Sequence, residues 1–215
     1  MLLLVMVGCT EQPPKDARYP FKSAIIKREV EGVTKQIIYI DDYGAREARE
    51  ESMQEDDGRY NYHVLNIRIP NSEMAFRIDL LEKTALLVTI EEYESNVPPI
   101  IIGTEDLEDC REDATDTVAG KLCKVYRTNS LEDHPIDERK EDALWVWNGI
   151  LMKTIIPDEE CYCIHGFSTE SIELNVPIPP PAVRLGAAEA LPLRRAQRPR
   201  PRARRPRARV ALPAP

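Results

Sequence analysis

Histidine is scarce in this chain of 215 residues: there are three, His63, His134 and His165, scattered along it. That argues against a histidine-rich metal site. No apolar run approaches the roughly 18 residues of a membrane-spanning helix. A phosphate-cradling glycine loop, a G-x-S-x-G turn and an H-E-x-x-H zinc motif are also missing. No catalytic residue, metal ligand set or cofactor is therefore expected. Tryptophan is rare too, and both copies, Trp145 and Trp147, stand one residue apart.

The net charge is -8, but it is divided unevenly. Residues 182–215 hold ten arginines, no lysine and one acid, Glu189, a balance of +9. Taken from totals of 29 basic and 37 acidic residues, that leaves 19 and 36, or -17, on residues 1–181. The two parts attract weakly, and salt screens the attraction. An acidic body repels phosphate, so no nucleic-acid partner is expected.

In residues 181–215 arginine alternates with proline, which supports neither helix nor ladder. An extended, unstructured tail is expected there. One reading is a basic arm for nucleic acid or anionic lipid, though it lacks aromatics that stack on bases. The other is an extension without a role, whose Arg/Pro/Ala/Leu bias resembles a GC-rich stretch read in a shifted frame. At the other end, residues 2–7 are apolar, followed by Gly8, Cys9 and the polar TEQPPKD. This resembles the end of a bacterial lipoprotein signal, where a small residue precedes the cysteine that is lipidated. Cys9 is the candidate lipidation site, and residues 1–20 read as signal remnant and tether. The competing reading is a core strand with a buried Cys9.

Residues 21–180 read as a single antiparallel β-rich domain. With hydrophobic residues at 42%, the chain can build a packed core. Short β runs alternate with turn signals. In KQIIYIDDYG, Ile38 and Ile40 oppose Ile37 and Tyr39, and Gly44 closes the run. In NYHVLNIRIP, Leu65, Ile67 and Ile69 share a face. In EMAFRIDLL, Met74, Phe76, Ile78 and Leu80 do. This is the period of a half-buried strand. TALLVTIEEY, KLCKVYRT, ALWVWN, ILMKTII and ESIELNVP supply further strands. Short connections predict antiparallel order. GTEDLEDCREDA differs: Thr104 as N-cap, with Leu107, Cys110 and Ala114 at helical spacing, fits a short amphipathic helix. An acidic surface loop fits equally.

Asn148-Gly149 is the preferred pair for a type I′ turn. It places Trp147 opposite Ile150, Val146 opposite Leu151 and Trp145 opposite Met152. Trp145, Trp147, Ile150 and Met152 then share one face, and Leu144, Val146 and Leu151 the other. A hairpin apolar on both faces does not lie on an open surface. Either both faces meet packed protein, or one lines an apolar groove formed by Trp145, Trp147, Ile150 and Met152.

The order TVAGKLCKVYRT, ALWVWNGILMKT, ESIELNVPIP resembles bacterial envelope proteins related to the outer-membrane lipoprotein-sorting (lipoprotein carrier) superfamily. The resemblance rests on Gly120, Cys123, Trp145, Trp147, Asn148, Gly149, Ile150, Lys153, Asn175, Val176 and Pro177, with IIYIDDYG upstream. It implies a mainly β fold: a curved antiparallel sheet, an incomplete barrel, with a short helix covering its concave face. It implies that the concavity carries an apolar ligand or a lipoprotein. Soluble carriers of this kind lack the lipid anchor that Cys9 would provide. The location implied is the bacterial cell envelope, membrane-anchored and facing the periplasm.

In such an oxidising compartment Cys110, Cys123, Cys161 and Cys163 are disulfide candidates, with three pairings open. Cys161 and Cys163 would lie roughly 6.5–7 Å apart on an extended strand, too far for an easy bond to each other. CYCIH also permits a thiol or metal-dependent site at Cys161, Cys163 and His165, although its spacing is shorter than zinc sites use. The acidic pairs Asp41-Asp42, Asp56-Asp57 and Glu91-Glu92 read as solvated turns. His63 reads as structural. The functional expectation is a non-catalytic, lipid-anchored envelope protein that binds an apolar ligand or another lipoprotein. The alternatives are an interaction module without a cavity, and the CYCIH site.

Overall fold

The computed structural model describes residues 12–94, 99–128, 142–158 and 163–179. The chain first runs through β1 (Ala24–Val30), β2 (Thr34–Asp41), β3 (Arg46–Gln54), β4 (Tyr60–Arg68), β5 (Met74–Asp79) and β6 (Thr84–Thr89). The helix α1 (Ile90–Glu94) follows, and then β7 (Cys110–Val118), β8 (Lys121–Thr128), β9 (Ala143–Trp147), β10 (Ile150–Asp158) and β11 (Cys163–Leu174). These eleven strands form one sheet in the order β6-β5-β4-β3-β2-β1-β11-β10-β9-β8-β7. Every pairing is antiparallel. The sheet is curved and not closed into a barrel.

The topology follows from short turns and one long crossover. Ala119-Gly120 and Asn148-Gly149 both have positive φ, as two-residue hairpins require. The first six strands march from the middle of the sheet to one edge. After α1 the chain crosses to the opposite edge, and β7 to β11 march back. The first and last strands meet in the centre, with Ala24 opposite Leu174 and Val30 opposite Phe167.

Alternation decides what each face buries. On β1 and β2, Ala24, Ile26, Ile38 and Ile40 are fully buried on one face. Tyr19, Phe21 and Ile100 cover them, joined by Val125, Trp145, Ile150 and Met152 from the C-terminal strands. Tyr19, two residues ahead of Phe21, is part of this cluster. On the other face of β3 to β6, Ala48, Ile67, Ile78 and Ala85 form a smaller cluster, with Leu65, Phe76 and Leu80 against it. These are the faces expected of NYHVLNIRIP and EMAFRIDLL.

Two elements depart from expectation. Residues 104–114 form neither the amphipathic helix nor a loop throughout. Glu105–Leu107 is a single 3-10 turn, Thr104 makes no side-chain cap, and β7 begins at Cys110. The nine residues of β7 hold their edge position through pairing with β8, which outweighs the local helical spacing. The second departure is β3, whose REAREESMQ has no apolar alternation. Its covered face carries Glu47 and Arg49, both buried. The only α-helix among the described residues, α1, sets its Tyr93 hydroxyl on Glu47 and so lies on this covered face.

Candidate functional site

The hairpin of β9 and β10 takes the expected turn, with Asn148 at φ 49 and Gly149 at φ 76. Trp147 pairs with Ile150 and Val146 with Leu151, as the turn requires. Beyond that the register shifts. A bulge leaves Met152 without a partner on β9, and Trp145 faces Lys153. The Lys153 ammonium lies 4.4 Å from the Trp145 ring centroid, and Lys121 lies 4.8 Å from that of Trp147. Trp145 also donates its indole N–H to Asp116 on β7 at 2.9 Å. That hydrogen bond holds the Asp116 carboxyl below its ordinary pKa.

Trp145, Ile150 and Met152 are buried in the main core cluster beside Ile26, Ile38 and Ile40. Trp147 packs against the same cluster but is only half-buried. The opposite face of the hairpin is apolar as well: Val146 and Leu151 pack with Phe167 and Val30. Here a cleft of about 470 Å³ opens. Its floor comes from Leu122, Tyr126 and Val146, and Ile102 and Leu107 stand on the crossover side. Trp147 and the turn residues Asn148 and Gly149 complete it. The crossover is held in place by main-chain bonds to the hairpin: Ile102 N–H to the Gly149 carbonyl at 2.8 Å and Leu151 N–H to the Ile100 carbonyl at 2.9 Å. Leu122 is 68% exposed, the highest value among the exposed large apolar residues described.

Of the four groove candidates, the cleft therefore takes Trp147, while the other three are committed to the core. The crossover residues Ile102 and Leu107 belong to no site expected from the sequence. Their signal lies in the apolar run IIIG after two prolines, and in a leucine that the helical spacing assigns elsewhere.

A second constellation is not legible in the sequence at all. Glu47 is buried, and its carboxylate accepts from Tyr19 Oη at 2.8 Å, Tyr93 Oη at 3.0 Å and Arg49 Nε at 2.7 Å. Arg18 stands 3.8 Å away and also donates to Glu94 at 2.7 Å. Burial alone would raise the Glu47 pKa, but Arg49 and Arg18 outweigh it and hold it below the ordinary value. Burial, reinforced by the Glu47 charge, pushes both tyrosine hydroxyls far up, so they remain protonated donors. This network is a clasp: it ties the N-terminal segment and α1 onto β3. It contains no nucleophile beside a base. His63, read as structural, finds a partner that only the β3–β4 pairing supplies, Glu50 at 2.7 Å.

Cys110 and Cys123 carry free thiols. A bond between them is ruled out by register: Cys110 faces Thr128, whereas Cys123 faces Asp116, further along β7. At strand rise that separation is about 20 Å. Burial raises both thiol pKa values, with Asp109 adding at Cys110 and Asp116 at Cys123. Neither is an activated nucleophile. Cys9 and Cys161 lie outside the described residues. Cys163 and His165 fall on β11, opposite Asp158 and Ile156. No group of three metal-ligating side chains occurs among the described residues, and no described helix is long and apolar enough to cross a membrane.

No family model matches this chain, and no curated protein sequence is significantly similar to it. Similarity lies in the fold. An uncharacterized conserved protein from Thermus thermophilus superposes with a TM-score of 0.51 at 7% identity, covering 81% of this chain and 90% of that one. The MucA/MucB complex structure from Pseudomonas aeruginosa gives 0.42 at 14% identity, covering 77% and 56%. A putative outer membrane lipoprotein-sorting protein domain from Vibrio parahaemolyticus gives 0.30 at 11%, covering 74% and 87%.

Proposed function

We propose that this chain is a non-catalytic, lipid-anchored protein of the bacterial envelope that holds an apolar ligand, or an apolar segment of another lipoprotein, in the cleft beside Trp147. The observation that carries this reading is the cleft itself. Its volume of about 470 Å³ lies in the range of ligand sites, and its lining is mostly apolar, with lysine and threonine side chains at its border. The sequence at Cys9 supports the anchor, and the motif resemblance supports the envelope location.

The test is to extract the full chain from its native membrane and identify bound lipid by mass spectrometry. Lipid in the native protein, lost on Trp147→Ala with the fold intact, is the expected result. Absence of lipid, with no uptake of a fluorescent apolar probe, would overturn it. Incorporation of labelled palmitate, abolished in Cys9→Ser, tests the anchor separately.

A second reading is an interaction module without a ligand. The packing of Trp145, Ile150 and Met152 among the protein's own core side chains favours it. On that reading the extracted protein carries no lipid, and Leu122→Asp disturbs partner capture rather than lipid content.

A further inference from the structure

The covered face of the sheet concentrates positive charge inside an acidic protein. Arg49 is 4% exposed and Arg18 30% exposed at the side chain. Both line a cavity of about 290 Å³ closed by Tyr19, Glu94 and the crossover residues Pro99, Ile100 and Ile101. The carboxylates around it are already engaged. Glu47 takes three hydrogen bonds, and Glu94 is shared between Arg18 and Arg68, at 2.7 and 2.8 Å. Among the described residues three guanidinium groups therefore meet two carboxylates, leaving one positive charge over. The imbalance is visible in single atoms: among the described residues Arg18 Nη1 and Arg49 Nη1 are both buried without a hydrogen-bond partner. Nearby on the same face Arg28 is fully buried and has no carboxylate partner among the described residues.

Buried N–H groups of a cation are costly when unmet. Water would satisfy their hydrogen bonds but not the charge. An oxyanion would satisfy both, since guanidinium N–H groups match carboxylate and phosphate oxygens and bind them strongly where water is excluded. We propose that the cavity between Arg18, Arg49 and the crossover segment is an anion site that takes a phosphate group, either as inorganic phosphate or as the head group of an anionic phospholipid. The anion accepts from the guanidinium groups of Arg18 and Arg49 and lies against Ile100 and Ile101. The cavity shares no residue with the cleft beside Trp147, so either site can fail without the other.

Isothermal titration calorimetry on the full chain at low ionic strength tests this, with inorganic phosphate in one arm and short-chain phosphatidylglycerol in the other. Saturable binding in at least one arm is expected, and the arm that binds identifies the source of the phosphate. Arg18→Gln should weaken it roughly tenfold to a hundredfold, the effect of losing one charged hydrogen bond. Ile101→Trp fills the cavity without touching the charges and should abolish binding. It decides the matter if Arg18→Gln does not fold. No binding in either arm overturns the proposal, as does binding that Ile101→Trp leaves unchanged.

Discussion

At the scale of single residues, Glu47 and Arg28 are opposite experiments in burying charge. Glu47 has every oxygen engaged, and removing its charge strands Arg49 in a dry environment. Glu47→Gln should cost about 3 kcal/mol in urea unfolding, the usual consequence of breaking a buried ion pair on one side. Its pKa in the folded protein lies below the ordinary value. Its stabilisation is therefore complete above the unfolded pKa, about 4.3, and is lost as pH falls through the lowered value. The wild type should lose stability on acidification more steeply than Glu47→Gln, and parallel slopes would contradict this. Arg28 has one donor satisfied, by the Leu151 carbonyl at 2.8 Å, and rests 4.0 Å over the Phe167 ring. Its Nε and Nη1 have no hydrogen-bond partner among the described residues. Burial, with repulsion from Arg49, pushes its pKa down to about 9. Between that value and the higher ordinary one the unfolded state binds more protons, so Arg28 disfavours folding fully below 9 and progressively less above it. Arg28→Met should raise stability at pH 7 by about 1–2 kcal/mol, because the unpaired charge costs more than the lost hydrogen bond gains. A drop in the urea midpoint would show that the guanidinium is compensated.

At the scale of elements, the strands rely on two kinds of glycine. Gly120 needs its positive φ, but a Cβ there would meet nothing within 4 Å. Gly166 needs space instead: a Cβ would fall 2.2 Å from the Thr154 carbonyl oxygen across the β10–β11 ladder. Gly120→Ala should cost about 1 kcal/mol, the penalty of a left-handed alanine. Gly166→Ala should cost more, about 2–4 kcal/mol, since the backbone of two paired strands must part. Urea unfolding of the two variants compares them directly, and equal losses would refute the ladder argument. The same scale explains the hairpin. The Asn148-Gly149 pair fixes the turn through φ alone, so the first two cross-strand pairs could be read off the chain. The bulge at Met152 could not, because it answers to the pairing of β10 with β11 and with the crossover, not to the turn.

At the scale of the whole molecule, β1 and β11 are neighbours in the centre of the sheet although they stand at opposite ends of the folded chain. The six N-terminal strands cannot finish their core until Phe167, Ile172 and Leu174 arrive. A chain ending at residue 160 should show no cooperative unfolding transition by circular dichroism, because β1 and β10 become open edges and the central cluster loses a wall. A retained sharp transition would mean that the first six strands fold alone. Such long-range pairing also places the protein among slow folders, on roughly the millisecond-to-second scale.

How much of this was legible in the chain depended on whether the relevant physics was local. The alternation of Ile38 with Ile40, or of Phe76 with Ile78, already states which face is buried, since a strand repeats every two residues. Turn residues state where strands reverse. Both come from φ/ψ preferences and side-chain polarity within a few positions, and they were enough for an antiparallel β-rich fold. The charged strand β3 could not be recognised, because Glu47 and Arg49 are stable inside only with Tyr19 and Tyr93, which reach Glu47 from 28 and 46 residues away. The helical spacing at residues 104–114 misled for the converse reason: β8 offered β7 a ladder of hydrogen bonds stronger than a short isolated helix. The choice between core and groove for the two tryptophans also belonged to the tertiary structure. Sequence placed both indoles on an apolar hairpin; the crossover decided that Trp145 would be buried and Trp147 would border a cleft, because only packing at a distance determines which apolar surface is left uncovered.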